Sequence, residues 1–187
     1  MKPLDIKPAQ GTILISEPFL KDYYFRRSVV LLADHDDNGS FGLIINKPIE
    51  LRLNEVIRDF PAFDAQVYIG GPVKTDSLFV LHTLGNKIEG SSKIIPGLYW
   101  GGDIDIIKSM IEEKKISNEE IHFYIGYCGW EAQQLDRELE ENSWVVSKVK
   151  TKQLLFDHPE DMWKNILKSM GQEYALWVNY PLDPMMN

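Results

Sequence analysis

Cysteine is nearly absent: Cys128 is the only one in 187 residues, so neither an intramolecular disulfide nor a cysteine-rich zinc site can form. Long apolar runs are lacking too. Even the longest, residues 29–33, falls far short of the roughly 20 residues that a membrane-crossing helix needs, as does the run at 43–45. Residues 1–10 carry charges and prolines but no apolar stretch of the secretory type, so a cytoplasmic, reducing setting is expected. Positive charge is in deficit, with 20 Lys and Arg against 28 Asp and Glu and a net charge of −8. Such a chain is repelled on average by phosphate backbones, which disfavours direct nucleic-acid binding. Fixed-period repeats and low-complexity segments are also missing, which excludes solenoids.

What is present is ordinary globular composition, 44% hydrophobic and 26% charged, in a length that fits one domain over residues 1–187. Residues 11–16 read as a first strand, stopped by Pro18. Residues 28–33 form a β-branched and aliphatic run typical of a strand buried on both faces. Asp36-Asp37-Asn38-Gly39 then reads as a hairpin turn, because Asn and Gly tolerate positive φ, and residues 41–46 form the partner strand. A short helix is expected over 53–60, strands over 66–69 and 78–82, and a long connection over 85–102 with one short strand at 93–95. Residues 103–115 are an amphipathic helix with Ile104, Ile107, Met110 and Ile111 at helical spacing. A strand over 121–127, a helix over 131–141 and a strand over 144–149 follow. Asp157, His158 and Pro159 open the last helix, whose stripe is Met162, Trp163, Ile166, Leu167 and Met170. An aromatic tail from about 172 carries Trp177 and Tyr180 back onto the domain. The irregular order of elements predicts an α+β fold with a mixed, mostly antiparallel sheet, bifurcated or barrel-like, and three to four packed helices.

Reactive residues are few. Gly126-Tyr127-Cys128-Gly129-Trp130 lies between a predicted strand and a predicted helix, the setting of a nucleophile elbow. Trp130 stands where an elbow needs Gly, and a lone Cys is more often a small buried hydrophobe. His35, His82, His122 and His158 share no metal-motif spacing, so no metal or cofactor site is expected. His35 at a turn and His82 at a strand end can meet at one sheet edge. Gly70-Gly71-Pro72 reads as a tight bend, since a phosphate loop needs a following Lys-Ser/Thr. Asn142 suits a helix C-cap, and Glu131, Asp136, Glu138, Glu140 and Glu141 suit a solvated face. The basic clusters at Arg26-Arg27, Lys114-Lys115 and Lys148–Lys152 likewise read as solvated.

The ordered set of segments from Phe25 to Leu32, His35, Gly42 to Pro48, Gly70 to Val73, Phe79 to His82, Gly126 to Trp130, Gln134-Leu135, Glu138 and Asn142 to Trp144 resembles the YqgE/AlgH family of bacterial proteins. The resemblance spans nearly the whole chain. It implies a compact α+β fold rich in β-structure, a cytosolic bacterial protein, no established catalytic activity and a transcriptional-regulator label derived from a link to alginate control. The chain departs from the family at Cys128, where members commonly carry a small residue such as Ala. It also carries Glu131 and Gln133 in place of the usual glycines.

The expected function is a non-catalytic binding or regulatory domain acting on a protein or small-molecule partner. Its cleft is expected near His35, Asn46, Gly70, Gly71, His82 and Trp130. One alternative is a small-molecule hydrolase or transferase with His35 or His82 as base, and another is direct DNA binding. The net charge of −8 disfavours DNA. A gel-shift titration with duplex DNA at low salt is expected to stay flat, and a shift whose midpoint rises with added salt contradicts that expectation.

Overall fold

The computed structural model describes residues 6–148, 150–156 and 158–181. In chain order they form β1 (Thr12–Ser16), β2 (Val29–Asp36), β3 (Gly39–Ile44), β4 (Pro48–Arg52), α1 (Leu53–Val56), β5 (Gln66–Ile69) and β6 (Val73–His82). There follow β7 (Ser91–Ile95), β8 (Leu98–Gly101), α2 (Ile104–Glu112), β9 (Ile121–Glu131), α3 (Gln134–Glu140), β10 (Trp144–Lys148), α4 (Thr151–Phe156), α5 (Pro159–Ser169) and α6 (Gln172–Ala175). A 3₁₀ turn over Leu176–Asn179 ends the described chain's regular structure. The fold is α+β, with one large, mostly antiparallel sheet. Its long helices are α2, α3 and α5; the other three have four to six residues each. Among the described residues no helix is long and apolar enough to cross a membrane.

The sheet runs β10-β1-β2-β3-β9-β6-β8-β7, with β4 and β5 branching from it. It is bifurcated at β9. Residues 123–125 of β9 pair in parallel with β5 and residues 121–127 antiparallel with β6, while residues 128–131 pair with β3. The ends of β3 and β5 are stitched by Ile44 N–H donating to Gly70 O at 2.8 Å, and Gly70 N–H donates to Ile125 O at 2.8 Å. Gly126, at φ +69°, sits where β9 passes from one branch to the other, a backbone shape that side chains resist. A Cβ there would collide with Gly71 O, and one at Gly70 would collide with Gly126 O.

Three apolar clusters follow from this layout. On one face of β1–β3, Ile13, Ile15, Leu31 and Leu43 pack under α4–α6, with Trp163 and Leu167 at the centre. On the other, Leu14, Val30, Leu32 and Ile44 pack with Cys128, Trp130, Leu135 and Trp144. The alternating allegiance of neighbours in β2 is the burial on both faces that its apolar run predicts. The other branch packs Leu53, Val67, Val80 and Phe123 against Ile107 and Ile111 of α2. Asp103 caps α2, its carboxylate accepting from Asp105 and Ile106 N–H.

Several local expectations change. The helix expected over 53–60 is the single turn α1, because Asn54 spends its amide on the Phe60 and Pro61 carbonyls and on Phe63 N–H, which holds the following chain as a loop. The connection over 85–102 contains a hairpin, β7–β8, folded at Pro96-Gly97. The strand expected to stop at 127 continues to Glu131, so Cys128 lies within β9 and not on a strand-to-helix turn. The tail does return: Tyr174 is buried, Trp177 packs on the core, and Tyr180 meets Phe19. Asp157, Val149, Leu182, Met185 and Met186 lie outside the described residues.

Candidate functional site

The β2–β3 hairpin has two ends, and each opens on a hollow. At the turn, Asp36 accepts from Asn38 through both carboxylate oxygens, from N–H at 2.8 Å and from Nδ2 at 3.1 Å, which holds its carboxyl below the usual carboxylate range. Across the hairpin, His35 pairs with Ser40, and His35 Nδ1 lies 2.8 Å from Ser40 Oγ. Ser40 in turn sits opposite Trp130 on β9, and Gly39 opposite Glu131. Gln133, in left-handed conformation at φ +61°, turns the chain into α3. His35, Asp36, Asp37, Ser40, Glu131, Gln133 and Asp136 thereby surround a hollow of about 420 Å³. A shallower depression beside it is lined by Asp34, Phe41, Tyr127, Gly129 and Trp130.

Trp130 lines the shallower depression and not the hollow itself. It is buried, and its indole N–H donates to Glu138 Oε2 at 2.8 Å. Trp144 Nε1 donates to the same oxygen at 2.7 Å, and Gln134 Nε2 donates to Glu138 Oε1 at 2.9 Å. Glu138 is therefore a hub that pins α3 to β9 and β10, and not part of a solvated face. Asn142 takes the left-handed position expected of it, at φ +59° just after α3.

The six residues expected to form one cleft fall into different places. His35 and Trp130 lie on either side of Ser40, each paired with it from a neighbouring strand. Asn46 is buried at the opposite end, its Oδ1 accepting Val29 N–H at 2.8 Å and its Nδ2 donating to Arg27 O at 3.0 Å. Gly70 and Gly71 form the backbone junction with Gly126 and Tyr127 and leave no room there for a ligand. His82 pairs with Ile121 at the start of β9, whereas Ser40 pairs with Trp130 near its end, a separation of up to about 30 Å at strand rise. His35 and His82 thus do not share an edge site. His82 is fully buried: Leu84 N–H donates to its Nδ1 at 3.3 Å, and its Nε2 lies 2.9 Å from Ser91 Oγ, whose hydroxyl donates to Ile88 O. Those partners fix a neutral Nε2–H ring.

Cys128 is equally sequestered. Its Sγ contacts Gly70 O at 3.3 Å, and burial pushes its thiol pKa up strongly, so no thiolate is offered. The residues that sequence reading missed are Ser40, which meets His35 across the hairpin, and Glu131, Gln133 and Asp136, which reach it only through the pairing of β3 with a strand some 90 residues later. The acidic turn, Asp34 to Asp37, was the local signal for them.

A family profile described as AlgH-like matches residues 13–175. A UPF0301 protein of Bacteroides fragilis is 46% identical over 184 residues, covering 98% of this chain and 93% of that protein. A UPF0301 protein of Cytophaga hutchinsonii is 42% identical over 179 residues, covering 95% and 98%. The solution structure of the AlgH protein from Pseudomonas aeruginosa superposes with a TM-score of 0.73 at 29% identity, covering 94% of this chain and 98% of that one. The crystal structure of protein DIP2367 from Corynebacterium diphtheriae gives 0.78 at 21% identity over 96% and 95%, a likeness of fold.

Burial lowers the pKa of both His82 and His122 to about 4. Both are depressed below the ordinary value near 6.5, so the unfolded chain takes up these protons first. Their neutral burial costs nothing above about pH 6.5, and stability falls as pH drops from there towards 4, by at most about 1.4 kcal/mol per pH unit for each. Urea titrations between pH 7 and 4.5 are expected to show that decline, and His82→Gln is expected to flatten it. A slope unchanged by His82→Gln contradicts the assignment.

Proposed function

This chain belongs to the AlgH-like family, and from that premise we propose that it is a non-catalytic binding domain which engages a cationic partner through the hollow at the hairpin turn. The observation that carries this reading is a charge imbalance. Asp36, Asp37, Glu131 and Asp136 line the hollow, and among the described residues none of them forms an ion pair with Lys or Arg. Carboxylates gathered at a concave, water-filled mouth draw cations and raise association rates in a salt-dependent way. The groups that chemistry would recruit point the same way: the Cys128 thiol is buried, and His82 is closed in on both nitrogens. A regulatory role is then exercised through a basic segment of a partner protein, in keeping with a net charge of −8 that opposes DNA.

A second reading rests on one contact, the 2.8 Å approach of Ser40 Oγ to His35 Nδ1, which is the spacing of a hydroxyl nucleophile and its base. Against it, among the described residues no hydrogen bond orients His35 Nε2, so the dyad lacks the third group that fixes a catalytic imidazole.

Amide chemical shifts of the full chain titrated with an oligolysine peptide at low salt separate these readings from a featureless acidic surface. Shifts are expected to concentrate at residues 34–41 and 129–136, and Glu131→Gln with Asp136→Asn is expected to weaken binding about tenfold. Shifts spread evenly over the acidic surface contradict the site. Turnover in an esterase, phosphatase and nucleotidase screen that Ser40→Ala abolishes contradicts the non-catalytic reading and supports the hydrolase.

A further inference from the structure

The other end of the β2–β3 hairpin carries the opposite charge. There Tyr23, Tyr24, Arg26, Lys47 and Ile69 line a hollow of about 250 Å³. Lys47 is held in place by its neighbour, since both hydrogen bonds of Asn46 fasten this loop to the backbone on either side of Ser28. Lys47 Nζ donates to Tyr23 O at 3.2 Å, which leaves further N–H directions unused. Neither Lys47 nor Arg26 forms an ion pair among the described residues. The acid nearest Arg26 in sequence, Asp22, spends one carboxylate oxygen on Tyr24 N–H at 2.8 Å and Phe25 N–H at 3.1 Å, closing the turn that presents Arg26.

Two cations thus line one hollow, Lys47 partly buried and Arg26 exposed, in a protein whose net charge is −8. Burial first, and Arg26 second, lower the Lys47 pKa, while Asp22 opposes them. Like charges held together in reduced dielectric repel, and a multiply charged anion relieves both cations at once. An Arg fork beside a Lys point charge is the pairing suited to a phosphate dianion. The walls add a second element of recognition. Tyr23 is 73% exposed and meets Tyr24 edge to face, with ring centroids 5.7 Å apart, so it offers an open ring face at the rim.

We propose that this hollow binds the phosphate group of a small metabolite, with Arg26 and Lys47 holding the phosphate and Tyr23 stacking on a planar ring attached to it. The volume accommodates the phosphate and leaves such a ring at the mouth, against Tyr23. This site is separate from the acidic hollow, from which β2 divides it by some eight residues of strand, about 25 Å.

The test is calorimetric titration of the full chain, at fixed ionic strength, with adenosine 5′-monophosphate, adenosine and inorganic phosphate, alongside amide chemical shifts. Saturable binding of the monophosphate is expected, about tenfold or more tighter than phosphate, with shifts at residues 22–27 and 46–48. Lys47→Gln and Arg26→Gln are each expected to weaken it at least tenfold, and Lys47→Arg to keep most of it. Tyr23→Ala is expected to bring the monophosphate down to the affinity of phosphate and to leave phosphate unchanged. Equal affinity for the monophosphate and for phosphate in the wild type removes the ring contact, and so overturns the metabolite assignment. No saturable binding of either at millimolar concentration, binding indifferent to Lys47→Gln, or shifts located elsewhere overturns the site itself. The wild-type shifts decide even where a variant fails to fold.

Discussion

The close approach of two backbones at Gly126 and Gly70-Gly71 is the constraint on which the rest of the molecule depends. Strand β9 must lie beside β5 and β6 at its start and beside β3 at its end, and it changes course at Gly126 with φ +69°. The end of β5 must come within touching distance of that bend, which only residues without side chains allow. Because β9 bends there, Gly129 to Glu131 arrive beside the hairpin turn. Trp130 is then delivered to Glu138, and Glu138 fixes α3, which brings Asp136 to the hollow. The acidic site is a downstream product of a backbone junction that carries no chemistry of its own.

That junction also explains why the groups with most chemical promise are silent. Cys128 lies two residues past the bend, inside the sheet, with Gly70 O beside its sulfur. His82 lies at the far end of the same strand pair, closed in by Ser91 and by Tyr99, whose ring stacks on it at 5.8 Å. Charge, by contrast, is open to solvent and separated along one hairpin: carboxylates at its turn, and Arg26 with Lys47 at its base. Binding and steering are what such an arrangement does best.

Much of the fold was legible because local pattern and tertiary need agree. The run ending at Ala33 is apolar at every position, and each of those positions is buried. The stripe of α5 falls at helical spacing, and its four buried members are the ones facing the sheet. The β7–β8 hairpin was hidden by its Gly, Ser and Pro content, since strand identity there comes from pairing between neighbours and not from propensity. The end of β9 was misread for a related reason. Gly126 and Gly129 look like a turn locally, yet the β3 ladder carries the strand through both. Candidate site residues inherited this limit. His35 and Trp130 both pair with Ser40, but the pairing that places Trp130 there spans some 90 residues, and nothing near His82 announces that it sits at the other end of β9. Glu138 looked solvated among its acidic neighbours because the two indoles it accepts from lie on two different strands.

The dependence of the fold on the junction is tested most directly by comparing two glycines of similar backbone shape. Gly97, at φ +79°, has open space where a Cβ would go, whereas Gly126, at φ +69°, has the backbone of Gly71 and Val73. Gly97→Ala carries only the cost of a left-handed alanine, about 1–2 kcal/mol. Gly126→Ala adds a collision with backbone that cannot yield without parting β5 from β9. Equilibrium urea unfolding is expected to show Gly126→Ala at least about 3 kcal/mol less stable than wild type, a size reserved for disrupted cores and strained backbone. Equal losses for the two variants would contradict the account.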